Sequence, residues 1–274
     1  MNFKIARVGL HYWEEPVISG ENGSGTIFFS GCRLRCVYCQ NYEISHNAKG
    51  LFVSSEQLIK LMLYLQSQGA HNINLVTPSH YITRLPDVLK TAKQNGLHIP
   101  IVYNTSSYES VEDLKRLEGL VDIYLPDLKY YDNSSAQKYS KVLDYFDKAS
   151  LALKEMRRQQ PQDYVENGLM KKGVIVRHLI LPSLIEDSKK VLDFLAELDK
   201  TLQVSLMSQY FPTANAKTFP ELDRRISQSE YDEVLEYFFL TGLDDGFCQE
   251  LSSAIEDYVP DFDLDELKGI IDRV

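Results

Sequence analysis

No run in this chain approaches the roughly 18 uninterrupted apolar residues that a membrane-spanning helix requires. The opening residues, Met1-Asn2-Phe3-Lys4-Ile5-Ala6-Arg7, lack the long apolar segment of a secretory signal. The expectation is therefore a cytoplasmic protein with no membrane partner. Basic residues are in deficit, 29 Lys and Arg against 39 Asp and Glu for a net charge of −10. Binding along a phosphate backbone needs a basic footprint, so nucleic acid is not expected as a partner. No internal repeat or low-complexity tract is evident. With 44% hydrophobic and 25% charged residues, the composition is that of a folded chain with a sizeable core rather than a disordered one. Cysteine is scarce, four in 274 residues, and a reducing compartment keeps such thiols free.

Three of the four stand together, Cys32-Arg33-Leu34-Arg35-Cys36-Val37-Tyr38-Cys39, directly after the apolar run Thr26-Ile27-Phe28-Phe29. Thiolate is a soft ligand that selects iron–sulfur clusters, zinc or copper(I) over magnesium or calcium. Four-iron clusters normally take four cysteine ligands, so a loop offering three leaves one iron able to hold a substrate or cofactor. Cys248 alone cannot support a second cluster, and it is expected to be buried near the C-terminal helices. Two other readings stay open. His46 lies seven residues beyond Cys39, so a zinc-binding module of Cys3His type is chemically possible. Three chance core cysteines are the other reading, because unpaired cysteine is among the most buried residue types.

Along the chain, apolar strand-like runs alternate with helical patterns, the mark of βαβ units and a parallel sheet. Six strands are predicted: Thr26–Ser30, Ile73–Thr77, Ile99–Asn104, Asp122–Leu128, Val174–Leu181 and Gln203–Ser208. Ser54 with Gln57 resembles a capping box, followed by Leu58, Leu61, Met62 and Leu65 on one helical face. Pro86 suits a first helical turn. Further helices are predicted over about 134–156, 187–198 and 228–241, and the polar stretch Arg157–Lys172 is read as a surface loop. Right-handed crossovers on six parallel strands give a curved sheet or an incomplete barrel. The expected organisation is a single domain over 1–274, with a barrel core over about 24–212 and a C-terminal helical extension over about 213–274. That extension ends in the amphipathic pattern Leu264, Leu267, Ile270 and Ile271, which could cover one barrel end.

The C-x3-C-x-aromatic-C pattern, with Tyr38 before the last cysteine, resembles the signature of radical S-adenosylmethionine (SAM) enzymes. The flanking Phe28-Phe29-Ser30-Gly31-Cys32 and Cys39-Gln40-Asn41-Tyr42-Glu43-Ile44-Ser45 resemble homologues of pyruvate formate-lyase activating enzyme. The resemblance implies an α/β fold with a partial (β/α)6 barrel, and a [4Fe-4S] cluster held by Cys32, Cys36 and Cys39. It also implies S-adenosyl-L-methionine on the open iron, cleaved reductively to a 5′-deoxyadenosyl radical that abstracts hydrogen from a substrate. That substrate would be a glycine loop in a partner enzyme or a small molecule, and the electron would come from a flavodoxin or ferredoxin. A non-catalytic iron–sulfur electron carrier would share the cysteines without needing polar strand ends.

In barrels of parallel strands the site lies at the carboxyl ends of the strands. There the sequence places Thr77-Pro78-Ser79, Asn104, Asp127-Leu128-Lys129, Arg177 and Tyr210. By resemblance, Asp127 and Lys129 match a D-x-K element that contacts the cofactor's ribose and carboxylate; a barrel-rim ion pair is the other reading. Arg177 resembles the family's strand-five arginine and either binds the methionine carboxylate or pairs with Asp127 inside the barrel. The family's Gly-Gly-Glu element is replaced by Thr77-Pro78-Ser79, whose backbone carbonyls could still receive the methionine amino group. Tyr210 stands where activating enzymes carry a histidine. Tyr38 packs against adenine or forms the wall of the metal loop. His178, on the opposite strand face from Arg177, reads as a core histidine.

Overall fold

The computed structural model describes residues 2–243, 245–251 and 260–274. One sheet dominates it. The strands are β1 (Asn2–His11), β2 (Ser24–Phe29), β3 (Leu51–Ser54), β4 (Ile73–Val76), β5 (Ile101–Thr105), β6 (Ile123–Pro126), β7 (Tyr164–Glu166), β8 (Leu169–Leu179), β9 (Gln203–Met207) and β10 (Gly246–Cys248). They run in the order β10-β9-β8-β6-β5-β4-β2-β1-β3, with β7 beside β8. All six predicted strands are present as β2, β4, β5, β6, β8 and β9, and they pair parallel to one another. This is the mostly parallel α/β sheet of a partial barrel.

Three parts of the sequence reading need correction. The polar stretch 157–172 is not a loop: β7 and β8 form an antiparallel hairpin. Asn167 and Gly168 have φ of 52° and 76°, the left-handed pair that a two-residue hairpin turn demands. The single helix expected over 134–156 is two, Asn133–Ser140 and Tyr145–Gln159, broken at Lys141 with φ 63°. The C-terminal extension is not purely helical, because β10 joins the sheet parallel to β9, and Cys248 on this strand is exposed rather than buried. Positions 244 and 252–259 of the expected extension lie outside the described residues.

The two faces of the sheet carry different loads. On the outside, helices bury stripes such as Leu58, Leu61, Met62 and Leu65, and that helix is capped by Ser54 and Gln57 in a reciprocal box. On the inside, the ladder aligns Thr26, Asn74, Val102 and Ile123 in one tier and Phe28, Val76, Asn104 and Leu125 in the next. A short helix between β1 and β2, Pro16–Ser19, inserts Ile18 among Val102, Ile123, Leu125, Met170 and Ile175, closing the amino-terminal end of the strands. Near β1, the terminal helix Leu264–Ile271 buries Leu267 and Ile270, while Phe262 meets Phe28 edge-on at 5.6 Å. The charged side chains Asp127, Lys129 and Arg177 stand toward the opposite, carboxyl end.

Candidate active site

The cysteine loop leaves β2 through Gly31, whose φ of 94° favours glycine and whose N–H donates to Ile44 at 2.7 Å. From there it is braced on every side. Leu34 is fully buried, Arg35 N–H donates to the Ser140 carbonyl at 3.0 Å, and Val37 N–H donates to the Tyr139 carbonyl at 2.8 Å. Arg33 reaches the Glu109 carboxylate at 3.3 Å. Glu109 is itself buried, accepting from Thr105 at 2.7 Å, Tyr103 at 3.2 Å and, in a short contact, Ser79. A loop held this way is organised before any ligand arrives.

Cys32, Cys36 and Cys39 all line one cavity of about 230 Å³. Each sulfur has a hydrogen-bonding neighbour: Leu34 N–H at 3.4 Å for Cys32, Ser140 Oγ at 3.0 Å for Cys36 and Ser45 Oγ at 3.1 Å for Cys39. Burial pushes the Cys32 thiol up to about 11 and the Cys36 thiol up to about 12, and raises Cys39 as well. Such thiols keep their protons until a metal cation displaces them from sulfur into solvent, so binding is coupled to proton release. Among the described residues, no three His, Cys, Asp or Glu side chains are gathered closely enough to hold a single metal ion. A cubane cluster instead takes its ligands at separate corners. His46 lies against Tyr42 with the rings tilted and their centroids 4.3 Å apart, and is not among the cavity's lining residues. The donor set therefore fits a [4Fe-4S] cluster.

Across the same cavity stand Thr77, Asn104, Asp127, Lys129 and Arg177. Lys129 Nζ lies 2.7 Å from Asp127 Oδ2, and Arg177 Nε lies 2.8 Å from Asp127 Oδ1. Burial alone would raise the Asp127 carboxyl, but Arg177 and Lys129 outweigh it and hold it below the usual range. Arg177 also reaches Glu14 at 2.9 Å and Asn104 Oδ1 at 2.7 Å. Despite desolvation, Asp127, Glu14 and Glu15 raise its pKa further. The pairing of Arg177 with Asp127 is thus present inside the barrel. Thr77 adopts φ 56°, a backbone state that a β-branched residue rarely takes and that concentrates at functional positions.

Of the remaining predicted site residues, only Tyr38 reaches the cavity. Tyr38 lines the cavity and bonds Tyr130 Oη at 2.6 Å. Tyr210 is buried behind it, edge-on at 6.0 Å, and its hydroxyl donates to the Leu222 carbonyl at 2.6 Å. Pro78 and Ser79 are not among the lining residues, and the Ser79 hydroxyl is committed to Glu109 and Thr105. Three further residues, not expected from the sequence, belong to the site: Glu14 and Gln209 line the cavity, and Ser140 stands behind Cys36. Glu14 follows β1, a strand not predicted from the sequence, while Gln209 is the immediate neighbour of Tyr210 and carries the cavity contact in its place.

A curved parallel sheet with three thiols at the mouth of its carboxyl end defines an α/β-barrel enzyme built around an iron–sulfur centre. The radical SAM superfamily model matches residues 26–195, and the chain belongs to that superfamily, whose cofactors are a [4Fe-4S] cluster and S-adenosylmethionine. An uncharacterized protein of Methanocaldococcus jannaschii is 32% identical over 241 residues, which cover 83% of this chain and 64% of that protein. The chain therefore spans under two thirds of that relative. A pyruvate formate-lyase-activating enzyme of Clostridium pasteurianum is 29% identical over 200 residues, 68% of this chain and 74% of that enzyme. In fold, the chain resembles Streptococcus suis SuiB bound to S-adenosylmethionine, with a TM-score of 0.56 and 12% identity over 83% of this chain and 50% of that one.

Proposed function

We propose that this protein cleaves S-adenosylmethionine reductively and directs the resulting radical at a glycine in a partner protein. The observation that carries the reading is the placement of three cysteine sulfurs and the Asp127–Lys129–Arg177 group on the walls of one cavity. When bound, the reduced cluster and S-adenosylmethionine supply a 5′-deoxyadenosyl radical, which takes a hydrogen atom from the substrate. Cys32, Cys36 and Cys39 would hold three irons. Lys129 retains two N–H donors beyond its bond to Asp127 and would bind a carboxylate, with Asp127 accepting from hydroxyls. The Thr77 backbone carbonyl and Asn104, both of residues that line the cavity, would receive an amino group. Phe28, Phe29, Leu34, Leu179 and Met207 form the apolar wall that keeps water from competing reactions. Resemblance to the activating enzyme supports the glycyl target, with flavodoxin or ferredoxin as electron donor.

The test is anaerobic reconstitution with iron and sulfide, then dithionite and S-adenosylmethionine. The wild type is expected to release 5′-deoxyadenosine, and Cys→Ser at position 32, 36 or 39 to lose both iron and product to background. Stoichiometric zinc, or a cluster that leaves S-adenosylmethionine intact, refutes the reading. For the target, a candidate partner enzyme carrying deuterated glycine is expected to pass deuterium into 5′-deoxyadenosine; failure of that transfer removes the glycyl assignment and leaves the cleavage chemistry standing.

A further inference from the structure

Cys36 differs from the other two sulfurs in what stands behind its hydrogen bond. Ser140 Oγ lies 3.0 Å from Cys36 Sγ, Tyr130 Oη lies 2.9 Å from Ser140 Oγ, and Tyr38 Oη lies 2.6 Å from Tyr130 Oη. Ser140 and Tyr130 are completely buried, and Tyr38 is 6% exposed. The relay is fixed at both ends of its reach. Ser140 closes the helix Asn133–Ser140, and the backbone carbonyls of Tyr139 and Ser140 receive Val37 and Arg35 on either side of Cys36. Tyr130 packs edge-on against Tyr145 at 5.5 Å.

We propose that Ser140, backed by Tyr130 and Tyr38, sets the reduction potential of the cluster through Cys36. The proposal rests on the reading that Cys36 binds iron. A metal-bound cysteine is a thiolate and can only accept, so ligation fixes the direction of every bond in the relay: Ser140 donates to Cys36, Tyr130 donates to Ser140 and Tyr38 donates to Tyr130. Each hydroxyl has one proton, and the three are used once each. Donation along such a chain in a low-dielectric interior polarises the terminal donor, and hydrogen bonds to ligating sulfur are among the factors that set cluster potentials. One electron from an external one-electron donor adds negative charge at the cluster. Ser140 stabilises that charge, no covalent bond in the relay changes, and no proton leaves its oxygen. Removing the donor therefore makes reduction harder.

The experiment is an anaerobic redox titration of the reconstituted full chain, followed by the electron paramagnetic resonance of the reduced cluster without S-adenosylmethionine. Ser140→Ala is expected to lower the equilibrium constant for reduction about tenfold, which is 59 mV for one electron. Tyr130→Phe is expected to shift it less in the same direction, and Tyr38→Phe least. Ser140→Cys, a weaker donor of similar size, should fall between alanine and wild type. Equal potentials in wild type and Ser140→Ala, or shifts unordered by distance from Cys36, overturn the relay while leaving the cluster assignment intact. If Ser140→Ala fails to load iron, the two phenylalanine variants decide. A wild type that assembles no cluster overturns both readings.

Discussion

His178 shows how a single buried side chain makes stability depend on pH. On β8 it turns away from the cavity, bonding the Leu128 carbonyl at 2.7 Å through Nδ1 and Ser188 Oγ at 2.9 Å through Nε2. Both contacts suit a neutral ring that donates to the carbonyl and accepts from the hydroxyl. Burial lowers its pKa from 6.5 to about 4. Between these values the unfolded chain binds the extra proton, so stability is full above 6.5 and falls as the pH drops toward 4. The loss from this residue is roughly 3 kcal/mol. Urea unfolding across that range should show the slope, and His178→Gln should flatten it; an unchanged slope would assign the effect to other groups, such as His11, which burial also holds at about 4.

Helices and strands differ in how openly they are written in the sequence. Ser54 caps the helix Ser55–Ser67 in the way its Ser-x-x-Gln spacing announces, and Ser54→Ala should lower stability by about 1 kcal/mol, read as a lower urea midpoint at unchanged slope. The six parallel strands were legible because strands covered on both faces are apolar along their whole length. β1 was not, because Lys4 and Arg7 interrupt its apolar residues, yet it pairs β2 and β3 on its two edges. β10 is three residues long, too short to carry a pattern. The break between Asn133–Ser140 and Tyr145–Gln159 left no proline or glycine as a sign; it is set by tertiary docking of Tyr139 and Ser140 on the cysteine loop. Local propensity cannot foresee a backbone carbonyl required 100 residues away. For the same reason the three cysteines were readable from spacing, while Ser140 behind one of them was not.

At the scale of the whole molecule, Arg177 joins parts of the chain that are distant in sequence. It ties β8 to Asp127 after β6, Asn104 of β5 and Glu14 after β1. Arg177→Met would leave Glu14 and Asp127 buried without this partner, at a cost of about 3–5 kcal/mol, measurable as a fall in the urea midpoint. Arg177→Lys should recover only part, since an ammonium cannot reproduce three forked contacts. The barrel's interior thus has two regions, an ionic tier toward the cluster and an apolar tier toward Ile18.

That lower tier also governs traffic. Because Ile18 stoppers the amino-terminal end of the strands, the approaches left among the described residues lie at the thiols and beside β9 and β10. On the proposed function, a partner loop seated over the thiols would cover the spent nucleoside and methionine, and its withdrawal would precede their departure.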